Sequence, residues 1–330
     1  AAPGLASLNP NGSVDTSFVA PALRDKRSRV TSALQRQPDG SFLLSGPYTF
    51  PNESRSPSFI RLVAASPAAV NVSTRLFVGT DDDALIEGFI VQGPPGSSKK
   101  IMVRALGPFL TQFNIADALA NPTLEIRDAN NVTVATNNDW KTTQIGGLIT
   151  GDQFAEINDS HLAPSDDLES AIIAPLAPGR YTAVVRGAGN TPGTGLVDAY
   201  DLTPASTAKL ANVATRGLIQ PDPKLLIAGF VVQNGPVQVV VRAIGPSLSG
   251  LISNALPDTT LQLRNQNGGI VLENDDWETD QKQELEALGF QPSHRLEAAL
   301  VTTIQPGQYT AQVRGKGQAS GVGVVEVYFP

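Results

Sequence analysis

One architecture is written twice in this chain, and the duplication limits what it can fold into more than any other feature. Gly88-Phe89-Ile90-Val91-Gln92 returns as Gly229-Phe230-Val231-Val232-Gln233, and Val103-Arg104-Ala105-Leu106-Gly107-Pro108 as Val241-Arg242-Ala243-Ile244-Gly245-Pro246. Asn138-Asp139-Trp140 is matched by Asp275-Asp276-Trp277. Pro178-Gly179-Arg180-Tyr181-Thr182-Ala183 is matched by Pro306-Gly307-Gln308-Tyr309-Thr310-Ala311. The offset falls from 141 at the first block to 138, 137 and then 128, and the order never changes. Constant order with a drifting offset means one fold whose loops differ in length. Copy 1 is nine residues longer between the Trp and the Pro-Gly.

Each copy reads as β. Short apolar runs bounded by Gly and Pro recur, and several alternate apolar with polar residues. Leu124 and Ile126, like Leu261 and Leu263, share one face, with Glu125, Arg127, Gln262 and Arg264 on the other. Six to eight such strands in about 120–135 residues make a two-sheet sandwich. The expectation is an all-β protein with two tandem, jelly-roll-like β-sandwich domains, 70–203 and 210–330, joined by a linker at 203–207. Two apolar stretches, Phe109 to Ala120 and Leu248 to Leu256, are expected as short helices. A third helix is expected over Asp280 to Leu288, with Asp280 as its N-cap.

Composition narrows the chemistry. At 330 residues the chain is long enough for two or three domains. It has no Cys and two His, so disulfides, thiolate metal sites and His-based triads are excluded or hard to build. His161 and His294 do not align between the copies. A net charge of -7 argues against a nucleic-acid partner, and no run of about 18 apolar residues offers a membrane span. The start, Ala1-Ala2-Pro3-Gly4, reads either as a mature end left by signal-peptide cleavage or as a fragment boundary. Much Thr, Ser, Asn and Gly with little Lys suits an extracellular or cell-surface location.

Residues 1–69 stand outside the duplication. They contain Leu8-Asn9-Pro10-Asn11-Gly12 and, further on, Gln37-Pro38-Asp39-Gly40-Ser41-Phe42-Leu43-Leu44, then Phe59-Ile60-Arg61-Leu62. Asn-Gly and Asp-Gly between apolar residues signal hairpins. This stretch resembles one unit of the delta-60 type of β repeat, which implies a small hairpin or propeller-blade-like region. The duplicated part resembles the C-terminal sandwich repeats of large secreted or surface proteins of environmental bacteria, carried by the Gly-Phe-Ile-Val, Arg-Ala-Leu-Gly-Pro, Asn-Asp-Trp and Pro-Gly-Arg-Tyr-Thr phrases. It is also similar to pre-peptidase C-terminal domains. These resemblances imply architecture and an extracellular setting, and no particular chemistry.

Three groups of residues are candidate sites. The turns Asn137-Asn138-Asp139 and Asn274-Asp275-Asp276 concentrate side-chain oxygens, the ligands that Ca²⁺ takes six to eight of. Asp128 and Asn130, or Asn265 and Asn267, are expected to approach from the preceding turn. The alternative is that these Asx residues only shape the turn. If metal binds, copy 2 is expected to bind better, having two carboxylates where copy 1 has one. Arg104 and Arg242 lie among apolar neighbours and need partners; Glu169 and Glu297 are expected to pair with them structurally. Trp140 and Trp277 are expected to anchor loops, with stacking on a sugar face as the alternative.

The expected function is therefore non-enzymatic: an extracellular structural protein, a cell-surface, matrix or fibre subunit. Its partners would be copies of itself, or other surface proteins or glycans. A sharper version is self-assembly, in which the segment 1–20 adds as a strand to a neighbour's sheet and builds a head-to-tail polymer. The alternative is a carbohydrate- or protein-binding accessory module of a larger secreted protein.

Overall fold

The computed structural model describes residues 68–330 except 204, 205, 207 and 234, together with five short strands before them. The segment 1–20, the proposed strand donor, lies outside the described residues, as does most of the stretch resembling a delta-60 repeat. The chain divides into two units, 1–66 and 67–330. In the first, β1 (Arg24–Asp25) pairs with β4 (Tyr48–Thr49), while β2 (Ala33–Arg36), β3 (Phe42–Ser45) and β5 (Phe59–Leu62) form an antiparallel sheet in the order β2-β3-β5. The β2–β3 pair brackets Pro38-Asp39-Gly40, where the hairpin signal lies.

The second unit holds both copies. Copy 1 supplies β6 (Ala68–Val78), β7 (Leu85–Gln92), β8 (Lys99–Leu106), β9 (Pro122–Arg127), β10 (Thr133–Asn137), β11 (Ser170–Leu176), β12 (Gly179–Gly187) and β13 (Gly193–Asp201). Copy 2 supplies β14 (Lys209–Ile219), β15 (Leu226–Gln233), β16 (Val237–Ile244), β17 (Thr259–Asn265), β18 (Ile270–Asn274), β19 (Ala298–Ile304), β20 (Gly307–Gly315) and β21 (Gly321–Tyr328). The fold is all-β, and every strand pairing within it is antiparallel.

The two copies are not separate sandwiches in a row. The opening strand of each copy crosses the seam and pairs with the second strand of the other: β14 lies against β7, and β6 against β15. One layer therefore runs β10-β9-β12-β7-β14-β21-β16-β19, and the other runs β11-β8-β13-β6-β15-β20-β17-β18. Each strand of one layer packs over its counterpart in the other, β10 over β11 at one end and β18 over β19 at the far end. The result is a single two-layered slab, and its core is one continuous cluster from Ile101 and Ile172 through Phe89 and Phe230 to Leu300.

Alternation makes this possible. In β6, Val72, Thr74, Leu76 and Val78 are buried while Asn71, Ser73, Arg75 and Phe77 are half-exposed, so one face fills the core. Hydrogen-bonded on both sides, β6 and β14 are central strands, and the exchange removes the free edges that each copy would otherwise present there. At the seam the hydroxyls of Thr74 and Thr215 lie 2.7 Å apart. Gly217 gives room for Leu76: a Cβ there would collide with the leucine side chain.

Of the expected helices, Phe109 to Ala120 is only a 3₁₀ segment, Pro108–Phe113, and its partner is Pro246–Gly250. Helix α2 (Lys282–Leu288) forms as expected, but its N-cap is Gln281, not Asp280, and no side chain caps it. Copy 1 adds α1 (Phe154–Asp159) at the end of its longer loop. Both helices lie on the outer face of a layer. There Trp140 and Ile157 pack with Met102, Ala171 and Ile173, and Trp277 and Leu285 with Val240, Ala299 and Val301.

Candidate functional site

The turn that follows β10 (β18 in copy 2) is built around a buried Asn. Asn137 Oδ1 accepts the Ala171 amide at 3.1 Å, and its Nδ2 donates to the carbonyls of Asp139 and Thr142. Asn274 repeats this with the Ala299 amide at 3.0 Å and the Asp276 carbonyl. These two residues, read from sequence as ligands, are thus consumed by the turn itself. Trp140 is buried, its indole donating to the Asp166 carbonyl at 3.1 Å and stacking on Phe154; Trp277 is buried in the matching place. Neither offers a face to a sugar.

The expected ion pairs are replaced by others. Arg104 makes a two-point contact with Asp198, Nε to Oδ1 at 2.9 Å and Nη2 to Oδ2 at 2.6 Å, and also reaches Tyr200 and the Leu162 carbonyl. Arg242 pairs with Glu326 and reaches Tyr328 and the Phe290 carbonyl. The register explains this: Asp198 and Glu326 lie directly across β8–β13 and β16–β21 from the two arginines. Burial pushes the Asp198 carboxyl upward, and the hydrogen bond and charge of Arg104 oppose that.

Glu169 and Glu297 do something else. Each is fully buried and turns its carboxylate onto backbone amides of the Gly-Pro turn. Glu169 Oε1 accepts from Gly107 at 3.0 Å and Phe109 at 2.8 Å. Glu297 Oε1 accepts from Gly245 and Ser247, including the Ser247 hydroxyl. A carboxylate taking several amide donors is a strong, locally satisfied arrangement, and it holds the 3₁₀ segment against the sheet.

Beside each turn lies a set of oxygens with no such use. In copy 2 the side chains of Asp258, Asp275 and Asp276 bring carboxylate oxygens within 4.8 Å of one another. One Oδ1 of each is shielded from solvent and has no hydrogen-bond partner among the described residues. The equivalent oxygens in copy 1, Asn121, Asn138 and Asp139 Oδ1, are shielded and unpartnered too. Copy 2 differs in carrying Lys316, whose Nζ is 2.6 Å from Asp275 and 3.9 Å from Asp258, where copy 1 has Ala188. Burial raises the Asp258 carboxyl, Lys316 opposes this, and the charges of Asp275 and Asp276 add to it.

Sequence reasoning missed Asn121 and Asp258. It looked instead to Asp128, Asn130, Asn265 and Asn267, which sit at the far end of the β9–β10 and β17–β18 hairpins. Asp128 and Asn265 there accept amides of their own turns. An antiparallel hairpin places the residue before its first strand beside the residues after its second, which sets Asn121 beside Asn138 and Asp139, and Asp258 beside Asp275 and Asp276. A shallow polar groove on the outer face of β17, β18 and β20 is lined by Asp222, Gln262, Arg264, Glu273 and Arg314, with no aromatic side chain.

No family model matches the chain, and no curated protein does either. Among solved structures, allantoicase from Saccharomyces cerevisiae is 7% identical over 76% of this chain and 79% of its own, with a TM-score of 0.21. The T6 backbone pilin of Streptococcus pyogenes is 9% identical over 86% of this chain and 61% of its own, with a TM-score of 0.14. The tandem CBM22 domains of Paenibacillus barcinonensis Xyn10C are 9% identical over 88% and 79%, with a TM-score of 0.11. Likenesses this weak carry no argument about function. No helix among the described residues is long and apolar enough to cross a membrane.

Proposed function

We propose that this protein is a non-enzymatic structural subunit of the cell exterior, a surface, matrix or fibre component that joins copies of itself head-to-tail by strand addition. The observation that supports this reading most is where the chemistry-bearing side chains are spent. Arg104, Arg242, Glu169, Glu297, Asn137, Asn274 and both Trp residues all hold turns, strands or loops in place. Electron microscopy and sedimentation of the purified chain across concentration test it. Concentration-dependent filaments are expected; monodisperse monomers at high concentration would overturn the assembly, and turnover lost with a single carboxylate in a hydrolase screen would overturn the non-enzymatic assignment.

The unpartnered oxygens favour one addition, that the paired turns take Ca²⁺ and that the ion stiffens the slab. Hard cations prefer carboxylate and carbonyl oxygen. Copy 1 offers Asn121, Asn138 and Asp139, while copy 2 offers Asp258, Asp275 and Asp276 with Lys316 competing for the same oxygens. Terbium luminescence sensitised by the neighbouring Trp140 and Trp277 reads binding directly. Saturable signal lost in Asp139→Asn and Asp276→Asn supports the addition; no signal at millimolar ion would end it.

A further inference from the structure

A slab of two stacked layers has four terminal strands, β10 and β19 in one layer and β11 and β18 in the other. Free strand edges are templates for another chain, so what covers each of the four decides where a strand can be added.

Three are covered by the chain itself. On β11, the Ala171 amide is held by Asn137 and Ile173 is bonded at both its amide and its carbonyl by the side chain of Gln153. The next outward position, Pro175, has no N–H. On β19, Asn274 takes the Ala299 amide and Gln281 takes both groups of Val301, at 2.9 and 2.7 Å. The edge of β10 is met by the copy 1 loop: the Leu148 amide donates to the Val134 carbonyl at 2.8 Å, and Ile149 is buried behind it.

The fourth, β18, has no outer neighbour among the described residues, and no backbone group on its outer side meets a partner there. Its residues Ile270 and Val271 are 49% and 39% exposed. The cause lies in the loop-length difference. Thr142 corresponds to Thr279 and Gln153 to Gln281, so residues 143–151, the stretch that covers β10, have no counterpart in copy 2. In copy 1 the matching edge is capped by a tight turn, Gly146 to Ile149, whose Leu148 amide makes one hydrogen bond to it and whose Ile149 side chain is buried behind it.

We propose that β18 is the acceptor edge of the assembly and that its occupant is a strand of a second copy of this chain. The inference rests on the head-to-tail reading, which draws the donor from residues 1–20. Two considerations favour a second copy. One is that, among the described residues, the slab leaves a single terminal strand uncovered, which fits the one acceptor for each donor that a head-to-tail series needs. The chain also already joins its own halves in this way, edge to edge through β7–β14 and β6–β15.

Two full-length variants test it. Val271→Lys places a charge on the edge, and grafting residues 143–151 between Thr279 and Asp280 supplies the missing cover. Thermal melts of both are compared with wild type to confirm folding. Wild-type filaments, with at least a tenfold loss of assembled mass in both folded variants, are the expected result. Wild-type and variant filaments in equal amount would overturn β18 as acceptor while leaving self-assembly standing. Wild-type monomers at every concentration would overturn self-assembly, and the second copy as occupant with it.

Discussion

At the scale of single residues, the duplication provides internal comparisons, since the same position is solved in two ways. Lys99 is 1% exposed and pairs with Asp201 at 2.7 Å, also donating to the Thr203 carbonyl. The equivalent residues in copy 2 are Val237 and Phe329, which pack against the common core. Breaking a buried pair by removing one partner costs about 3–5 kcal/mol, whereas replacing both with apolar groups is often neutral or stabilising. Lys99→Val alone is therefore expected to lower the denaturant midpoint sharply, and Lys99→Val with Asp201→Phe to restore or exceed the wild-type value. A second contrast is Glu87 against Ala228. Glu87 is fully buried beside the seam, in register with Ala183 and Thr215, and neither carboxyl oxygen has a partner among the described residues. Burial, reinforced by the charge of Asp198, pushes its pKa well above the ordinary value of 4.5. The folded state therefore holds this proton more tightly than the unfolded chain does. Its stabilisation is complete below the unfolded value of 4.5 and is lost as pH rises through the folded pKa. Thermal melts across pH should show Glu87→Gln gaining on wild type as pH rises; parallel curves would show that Glu87 carries no such proton.

At the scale of elements, the strands were legible because alternation is a local property. β9 and β17 bury Leu124 and Ile126, and Leu261 and Leu263, while Glu125, Arg127, Gln262 and Arg264 stay half-exposed, as their sequences indicate. The segment after the Gly-Pro was not legible in the same way. Its apolar content suggested a helix, but Pro108 and the Glu169 carboxylate, some sixty residues away, hold it as a short 3₁₀ turn. The ion pairs failed for a related reason. Arg104 faces Asp198 because of strand register, and equivalence between copies identifies matching residues without identifying their neighbours. The edge-sealing glutamines belong to this scale as well. Gln281→Ala would free both backbone groups of Val301, costing about 1–2 kcal/mol. Because it opens β19 as a second edge, it is expected to raise light scattering on concentration more than its loss of stability would; unchanged scattering would mean that α2 alone protects the strand.

At the scale of the whole molecule, the exchange of β6 and β14 makes residues 67–330 one body with one core. Calorimetry of this unit should therefore give a single transition with matching calorimetric and van't Hoff enthalpies. Residues 70–203 expressed alone should be insoluble, because the outer edges of β6 and β7 would lose β15 and β14. Two resolved transitions, or a soluble folded half, would contradict the shared core. By itself the sequence determined that the chain is β, that it is built from two equivalent copies, and which faces of their strands are apolar, since each of these depends on neighbours a few residues apart or on direct comparison of the copies. Tertiary structure alone decided that the copies interlock, which carboxylate meets which arginine, and which edge stays open. Those outcomes depend on hydrogen bonds between strands more than a hundred residues apart at the seam, on the register of β8 with β13 and of β16 with β21, and on where a nine-residue loop comes to lie.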